Sequence, residues 1–333
     1  MRLAMAWVAV ALLGAALSSA PAQGEVKVER IPYMGLPNCY RLSNGTAEVV
    51  VTTDVGPRII RYAFAAEGAE NVLAELPNDV VTTEWGDWKP WGGHRLWLAP
   101  EQKPRSYAPD NAPVTIEPVG GNAVRVTAPN DPRTGTRKEM LITLDAAGTG
   151  LTILHRVTNT GVWAIEAAPW AITIVAGGGM TILPQEPYRS HDDDVLPARP
   201  MVLWSYTDFE DPRWTVGKKY IRLRSDERAG TAQKAGAMNK QGWAAYLRKE
   251  ILFVKRFPYE EGATYPDYGC NCETFTKGSF MEIETLAPLR SIAPGGTAEH
   301  TEQWSLARNV RVGTTEASLD AAITPLVGAP ALR

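Results

Sequence analysis

Short runs of alternating or β-branched apolar residues, each closed by turn residues, follow one another along most of the chain. Three of them are TAEVVVTT before DVGPR, RIIRYAFA before AEGAEN, and AVRVTAP before NDPRTG. A period of two, with Gly, Pro, Asn and Asp between the runs, is typical of half-buried β-strands. The pattern therefore predicts a nearly all-β protein built as a sandwich or a barrel.

The later part of the chain continues this pattern. KEMLITLDAAGTGLTILHRVTNTG has a hairpin signal around Ala146 to Gly150, and WAAYLRKEILFVKRF and SFMEIETLAPL predict further strands. Helical spacing occurs only in AENVLAEL and in the tail TEASLDAAITPLV, and both segments are short.

The organisation favours one large domain over residues 24–312, followed by a C-terminal tail over residues 313–333. No internal repeat and no polar linker divides the chain. Two smaller sandwiches that meet at the glycines of residues 177–179 are the alternative.

Residues 1–22 have the pattern of a secretory signal peptide. Arg2 precedes an apolar run from Leu3 to Leu17, and small residues then offer a cleavage site near residues 20–23. The run is shorter than the roughly 20 residues that span a bilayer, which favours cleavage over an uncleaved anchor. We therefore expect a periplasmic or secreted protein with no membrane attachment after cleavage.

The charge of the chain argues against some classes of binding partner. The net charge of -3, with Lys and Arg scattered along the chain, gives no basic surface for nucleic acid or an anionic membrane.

Cys39, Cys270 and Cys272 would enter an oxidising compartment, where Cys39 pairs with one of the others or all three stay buried thiols. They lack the fourth ligand and the spacing of a structural zinc site, and no cofactor is expected.

The richest concentration of aromatic and polar residues is WGDWKPWGGHRLWLAPEQ, residues 85–102, whose prolines and glycines predict an exposed loop. Indole rings stack on the C–H faces of sugars, and nearby charged groups can hydrogen-bond to sugar hydroxyls. The segment therefore predicts a carbohydrate site, whereas tryptophans that plug the core under a long loop are the alternative. The candidate residues are Trp91, His94, Arg95, Trp97 and Glu101.

A second aromatic and polar cluster, WSYTDFEDPRW, adds Trp204, Asp208 and Arg213 as sugar-binding candidates. Shortly before it, the run Asp192–Asp194 offers carboxylates of the kind that calcium binds. The spacing fits no EF-hand loop and favours a solvated turn, so no metal site is predicted.

Two glutamates form the third candidate. If the segment from Phe280 to Leu286 is a strand, Glu282 and Glu284 share one of its faces. They line either a solvated outer face or a polar groove, where burial would raise a carboxyl pKa and suit a general base.

Several segments together resemble the aldose 1-epimerase, or galactose mutarotase-like, superfamily. They are GPRIIRYAF, WGGHRLWLAPE, LTILHRVTNTG with IEAAPWAITI, FMEIETLAPL and PGGTAEHTEQWSL. The resemblance covers most of residues 30–308 and is strongest to a bacterial branch of often exported proteins rather than to the mutarotases themselves. It implies a large antiparallel β supersandwich whose concave face binds a mono- or oligosaccharide.

The resemblance also implies residue roles. It places at Glu284 the base that takes the anomeric proton, and at Arg95 the arginine that holds sugar hydroxyls; the reaction needs no cofactor. Where mutarotases have a histidine acid, within AAPWAIT, this chain has Trp170, which can contact a sugar but cannot deliver a proton. His94 is the expected substitute acid.

Two functions follow from these residues. An exported aldose 1-epimerase-like enzyme would use Glu284 and His94, whereas a carbohydrate-binding protein would keep the sugar groove without the reaction. A polysaccharide lyase or hydrolase is a weaker third candidate, since a hydrolase needs two carboxyl groups about 5–10 Å apart. His155 and His300 are expected to be structural.

Overall fold

The computed structural model describes residues 25–328, and strands make up most of its regular structure. The predicted signal peptide and the last five residues of the predicted tail lie outside the described residues. The strands, in chain order, are β1 (Lys27–Tyr33), β2 (Leu36–Ser43), β3 (Ala47–Val51), β4 (Arg58–Phe64), β5 (Glu75–Leu76), β6 (Val81–Thr83), β7 (Gly86–Trp88), β8 (Trp91–Ala99), β9 (Thr115–Val119), β10 (Ala123–Thr127), β11 (Thr136–Leu144), β12 (Leu151–Asn159), β13 (Ile165–Ala176), β14 (Met180–Pro184), β15 (Met201–Leu203), β16 (Trp214–Val216), β17 (Tyr220–Arg224), β18 (Gln233–Ala237), β19 (Trp243–Arg248), β20 (Ile251–Arg256), β21 (Cys272–Lys277), β22 (Phe280–Leu286), β23 (Arg290–Ile292) and β24 (Thr297–Ala307). The helical elements are a 3-10 turn (Arg105–Tyr107), the four-residue α1 (Pro266–Gly269) and α2 (Glu316–Val327).

Two large antiparallel sheets form the body of the fold. The first has 12 strands, ordered β1-β2-β3-β4-β8-β13-β22-β21-β18-β15, with β5 paired to β8 and β23 to β13. The second has 10 strands, ordered β16-β17-β14-β19-β20-β24-β12-β11-β10-β9, and β6 with β7 forms a separate hairpin. The predicted all-β class and the large antiparallel supersandwich are confirmed.

The main hydrophobic core fills the space between the two sheets. It takes alternate residues from both, and its largest members include Tyr62, Phe253 and Trp304, whose rings pack against one another. A second cluster lies on the outer side of the 10-stranded sheet, where α2 buries Leu319, Ile323 and Val327. The four-residue spacing of these three side chains puts them on one face of the helix.

Local signals in the sequence placed several elements well. The hairpin predicted around Ala146 to Gly150 connects β11 to β12. Lys249 and Glu250 join β19 to β20, and both have positive φ, as a tight two-residue hairpin turn requires. The predicted helical tail forms α2, where the Thr315 side chain accepts a hydrogen bond from the Ser318 backbone at 3.1 Å.

Two sequence predictions of local structure are wrong. AENVLAEL is not helical: Leu73 bridges to Val175, and Asn71 fixes the extended chain through hydrogen bonds to the backbone of Tyr62 and Leu73. The predicted exposed loop of residues 85–102 instead contains β8, a buried strand in the middle of the 12-stranded sheet. A strand covered on both faces loses the alternation that reveals strands in a sequence.

Glycines explain how β8 fits so closely between its neighbours. Gly92 and Gly93 both have positive φ, and a Cβ on Gly93 would lie 2.2 Å from the Ile59 carbonyl oxygen. The Gly-Gly pair therefore permits close strand packing, although in the sequence it suggests a loop.

The three cysteines are buried free thiols. Of the two predicted alternatives, a disulfide that includes Cys39 or three buried thiols, the structure has the buried thiols. None of the helices within residues 25–328 is long and apolar enough to span a membrane.

Candidate functional site

Strand β8 places His94 and Arg95 on opposite faces of the 12-stranded sheet. His94 points between the two sheets and contacts His155 of the opposite sheet, whereas Arg95 points outwards and lies near Glu282. Neighbouring residues of a strand point to opposite faces of the sheet, so His94 and Arg95 cannot lie on the same face. Glu284 shares the outward face with Glu282, and the sheet therefore separates it from His94. The fold therefore does not bring Glu284 and His94 together, although the predicted acid and base pair requires it.

His94 belongs to a fully buried polar network between the sheets. The Lys255 Nζ donates to the Thr173 Oγ1 at 2.9 Å and forms an ion pair with the Glu302 Oε1 at 2.8 Å. Thr173 in turn lies 2.8 Å from the Nδ1 of His94, whose Nε2 lies 2.7 Å from the Nε2 of His155. Each of these side chains is essentially inaccessible to solvent.

The contacts define one consistent set of protons. His155 Nδ1 donates to the His300 carbonyl at 2.9 Å, which leaves its Nε2 as an acceptor for the N–H of His94. His94 Nδ1 is then an acceptor for the Thr173 hydroxyl. Glu302 accepts from the Trp304 indole at 2.8 Å and from a threonine hydroxyl. The network is satisfied by its own members, as a buried polar cluster must be.

This network also contains the closest group of possible metal ligands in residues 25–328. Ligand atoms of His94, His155 and Glu302 lie within 4.8 Å of one another. The two ring nitrogens are 2.7 Å apart, whereas nitrogens about 2.0–2.1 Å from one tetrahedral zinc are separated by more than about 3 Å. Lys255 adds a buried positive charge beside the same carboxylate. The donor set therefore fits a hydrogen-bonded network better than a metal centre.

Burial of the histidines makes stability depend on pH. Burial lowers the pKa of His94 and His155, and it lowers the pKa of His300 to about 3 against the opposing charge of Glu302. In the unfolded chain a histidine takes up a proton near pH 6.5. The unfolded state therefore binds more protons between pH 6.5 and 3, and stability falls as the pH drops through this window.

A His300→Gln variant measures how much one histidine contributes to the pH dependence of the unfolding free energy. The glutamine amide can still donate to Thr285, as His300 Nε2 does at 2.7 Å, but it does not titrate. We expect the wild-type unfolding free energy to fall by about 2 kcal/mol more than that of the variant between pH 6.5 and 4.5, measured by urea unfolding. Parallel pH profiles for the two proteins would contradict this assignment.

The opposite face of the 12-stranded sheet carries a second polar cluster, which we call the outer-face site. Its members are Arg95, Trp97, Trp170, Lys234, Glu273, Glu282 and Glu284, from β8, β13, β18, β21 and β22. Cross-strand pairing places them side by side, since Glu284 is opposite both Ile172 and Glu273, and Ile172 is opposite Arg95.

Arg95 is held between two tryptophans. Its guanidinium carbon lies 4.6 Å from the ring centroid of Trp88 and 4.8 Å from that of Trp97. Its Nη2 lies 3.6 Å from the Glu282 carboxylate, and its buried Nε and Nη1 find no hydrogen-bond partner within residues 25–328. Burial lowers the pKa of Arg95 to about 10, which leaves it charged at neutral pH.

Lys234 connects two carboxylates behind this arginine. Its Nζ lies 2.7 Å from Glu273 and 3.0 Å from Glu284, and it also faces the ring of Trp170. The Trp170 indole donates to the same Glu284 oxygen at 2.9 Å. Burial opposes the charge of Lys234, but the two carboxylates outweigh it and raise its pKa. One ammonium group cannot neutralise both carboxylates, and burial raises the pKa of Glu273.

Glu282 differs from its neighbour on the strand. Its side chain is 14% exposed and makes no hydrogen bond within the described part of the chain, whereas Glu284 is fully buried and bonded. Burial and the charge of Glu284 raise the pKa of Glu282 to about 7, against the opposing charge of Arg95. This carboxyl group can therefore exchange a proton near neutral pH.

Aromatic side chains around the outer-face site are more exposed than its floor. Trp204 lies over Lys234, with 4.6 Å between the ammonium nitrogen and the ring centroid, and Tyr206 is 42% exposed. Tyr107 packs edge-on against Trp97 and donates a hydrogen bond to Glu101. Glu101 and Trp204 thus lie at the rim of the site.

The predicted tryptophans are mostly not free stacking faces. Trp97 and Trp170 are buried and pack edge-to-face at 5.5 Å, so they form the floor beneath the polar groups. Trp91 packs instead against a separate cluster with Leu36 and Ile60. The alternative of tryptophans that fill the core describes these rings better than an exposed sugar-stacking loop does.

Two other candidates take structural contacts. Arg213 is held by Asp211 at 2.7 Å and by the Thr231 carbonyl at 2.9 Å, and Asp208 caps its own turn by accepting from the Glu210 backbone. The structure does not bring either side chain to Glu284. Residues 192–194 form an exposed turn in which a carboxylate of Asp193 accepts from the Ser190 hydroxyl.

Sequence reasoning missed Lys234, and it gave Glu273 only as an isolated candidate with no link to the others. The strands of these two residues, β18 and β21, lie far from β8 along the chain, and neither residue has a neighbour in sequence that indicates a site. Only the pairing order of the sheet brings them to Arg95 and Glu284.

Solved structures share this fold at low sequence identity. A galactose mutarotase-like protein from Lactobacillus casei ATCC 334 superposes with a TM-score of 0.53 at 12% identity, over 81% of this chain and 100% of that chain. YeaD from Salmonella typhimurium, named as a candidate mutarotase, gives 0.52 at 11% identity, over 85% and 97%. The fold is therefore galactose mutarotase-like.

A third structure is longer than this chain. A TPR-domain-containing protein from Parabacteroides distasonis ATCC 8503 has a TM-score of 0.55 at 12% identity, over 84% of this chain and 49% of that one. The chain thus spans about half the length of that protein. No protein-family model matches the sequence, and no curated protein matches it.

Proposed function

We propose that this protein, which has the galactose mutarotase-like fold, is an exported carbohydrate-binding protein whose ligand occupies the outer-face site. The observation that carries the proposal is Arg95, a buried guanidinium whose Nε and Nη1 have no hydrogen-bond partner in the described part of the chain. Beside it lies the carboxyl group of Glu282, which makes no hydrogen bond to those residues either. Buried donors without partners cost free energy unless a ligand or water satisfies them.

A sugar suits this combination of groups. Each hydroxyl both donates and accepts, so neighbouring hydroxyls can accept from Arg95 and donate to Glu282. Trp204 and the exposed Tyr206 provide aromatic surface at the rim for the C–H faces of a pyranose. The site carries both charges, so charge alone does not demand an acidic or a basic ligand.

Mutarotase chemistry of the type that the resemblance implies has less support. It requires a base and a separate acid on the same sugar, and the sheet separates Glu284 from His94. Trp170 takes the place of the histidine and binds the carboxylate of Glu284 instead. Carbohydrate binding is therefore the function that the arrangement of the site supports best.

Calorimetric titration of the purified protein against a panel of aldoses and neutral oligosaccharides tests the proposal. We expect at least one sugar to bind at one site per chain. Trp163→Ala is a matched control, because Trp163 is 80% exposed on the β12–β13 loop and is the most exposed tryptophan among the described residues. Unchanged binding in this variant supports the outer-face site, whereas no binding by any sugar contradicts the proposal.

Export is a separate part of the proposal and rests on the sequence of residues 1–22. N-terminal sequencing of protein from the periplasm or the medium tests it. We expect a mature chain that begins near residues 20–23, and a chain that stays in the cytoplasm with its N-terminus intact would contradict export.

A further inference from the structure

We propose that a cavity beside the β10–β11 loop binds a short-chain monocarboxylate, with the ammonium group of Lys138 as its counter-ion. The cavity lies between residues 108–112 and residues 128–138, and Gly56 also lines it. None of its described lining residues belongs to the outer-face site. The inference is therefore independent of the proposed sugar binding.

The cavity has a small volume and mostly apolar walls. Its volume is about 210 Å³. Since a water molecule in the liquid takes about 30 Å³, a ligand of about seven non-hydrogen atoms would fill a space of this size. The apolar part of the wall consists of Ala108, Pro109, Ala112, Ala128, Pro129 and Pro132.

Backbone hydrogen bonds hold the walls of the cavity in place. The Gly56 N–H donates to the Asp110 carbonyl at 3.0 Å, which ties the start of β4 to residues 108–112. On the other side, the Asp131 N–H donates to the Thr136 carbonyl at 2.9 Å and closes the β10–β11 loop. The cavity is therefore formed by turns that are bonded to the two sheets.

Lys138 reaches the cavity from β11. It shares a face of that strand with Met140 and Ile142, which belong to the core, so the period of the strand directs it towards the space between the sheets. Its ammonium group makes neither a hydrogen bond nor an ion pair with any residue between 25 and 328. A charge held away from water without a partner costs free energy, which a bound anion would reduce.

The carboxylates near the lysine already have other partners. Asp110 accepts hydrogen bonds from Arg58 and from the Trp88 indole, the latter at 2.9 Å. Asp131 lies 3.5 Å from the guanidinium group of Arg133. Burial lowers the pKa of the lysine, and the charges of the two carboxylates offset this effect only in part. One positive charge is thus left in the cavity for a ligand to neutralise.

The surroundings of this charge favour an anion with a single negative charge. A phosphate or a dicarboxylate would bring a second negative charge close to Asp110 and Asp131, which repel it. The alanines and prolines of the wall instead suit an alkyl chain, whose burial is favourable. A monocarboxylate of about three to five carbon atoms has this charge, this apolar tail and the size that the cavity holds.

Saturation-transfer NMR titration of the purified protein with sodium butyrate tests the inference. We expect butyrate to saturate one site, and its neutral isostere butyramide to bind at least about 10-fold more weakly, because it cannot pair with the ammonium group. Inorganic phosphate should not displace butyrate at equal concentration. Butyramide that binds as tightly as butyrate would overturn the role of the lysine.

Two variants and one control assign the site. Lys138→Met keeps the apolar stem and should weaken butyrate binding by about 10-fold or more. Ala112→Leu keeps the lysine but places a larger side chain at the exposed edge of the cavity, and should also weaken binding. Lys277→Met, at an exposed lysine of β21, should bind butyrate as the wild type does. Equal losses in Lys138→Met and Lys277→Met would mean general attraction to positive charge and would overturn the assignment.

The indole signal of Trp88 locates the ligand without relying on Lys138→Met. Trp88 donates to Asp110, which lines the cavity, so butyrate should shift the Trp88 signal and leave that of Trp243 beneath α2 unchanged. If Lys138→Met does not fold, this shift together with the loss of binding in Ala112→Leu decides the question. Butyrate that does not saturate a site, or that leaves Trp88 unmoved and binds normally to Ala112→Leu, would overturn the inference.

Discussion

Replacement of Lys255 with methionine should lower the free energy of unfolding by about 3–5 kcal/mol. The ammonium group of Lys255 pairs with Glu302 at 2.8 Å, and both side chains are fully buried between the sheets. Without it, the charge of Glu302 would remain in the core with only neutral hydrogen-bond donors. The opposing charge also lowers the pKa of Glu302, so the variant should take up a proton at higher pH than the wild type does.

Urea unfolding measures this effect, and two further variants serve as controls. Lys249→Met removes an exposed ion pair with Glu70 and should cost no more than about 1 kcal/mol. The double variant Lys255→Met with Glu302→Gln replaces the stranded carboxylate with a neutral amide and should recover part of the lost stability. If Lys255→Met is no more destabilising than Lys249→Met, the account of the buried network is wrong.

Replacement of Arg95 with methionine should weaken the affinity for the bound sugar by about 10–100-fold. A hydrogen bond to a charged group contributes about 1.5–3 kcal/mol, and Arg95 is the arginine among the seven described residues that define the outer-face site. Methionine keeps the apolar stem between Trp88 and Trp97, so the floor of the site should stay packed. Calorimetric titration with the sugar found in the panel measures the change.

Arg213→Met is the control for this substitution. Arg213 is also a buried arginine, but its hydrogen-bonding groups are taken up by Asp211 and Thr231. The sequence alone ranks both arginines as binding candidates, whereas the structure separates them. Equal loss of affinity in the two variants would mean that binding depends on general stability and not on the outer-face site.

The sequence predicted the fold class because strands and hairpins have local signals. The hairpin signal around Ala146 to Gly150 lies between two strand runs, and the apolar spacing of the tail predicts α2. Strand β8 gave no such signal. It is buried on both faces, and Gly92 and Gly93 serve close packing against β4 and β5 and not a loop.

Because the sequence predicted a loop at residues 85–102, it did not show that the expected acid and base lie on opposite faces of the sheet. Once β8 is a strand, His94 and Arg95 must point to opposite faces, and only one of them can share a face with Glu284. Glu282 and Glu284 were placed on one face correctly, because that inference needs only the period of a strand. Which of the two carboxyl groups is free depends on Lys234 and Trp170, which no local pattern connects to them.

The central claim is that a sugar binds on the outer face of the 12-stranded sheet. Nitrogen-15 labelling of tryptophan, with indole signals assigned by single Trp→Phe variants, tests it in a titration with a sugar that binds. We predict shifts at Trp97, Trp170 and Trp204, and unchanged signals at Trp304 between the sheets and Trp243 beneath α2. A sugar that binds but shifts Trp243 or the exposed Trp163, and leaves Trp97 and Trp170 unmoved, would contradict the claim.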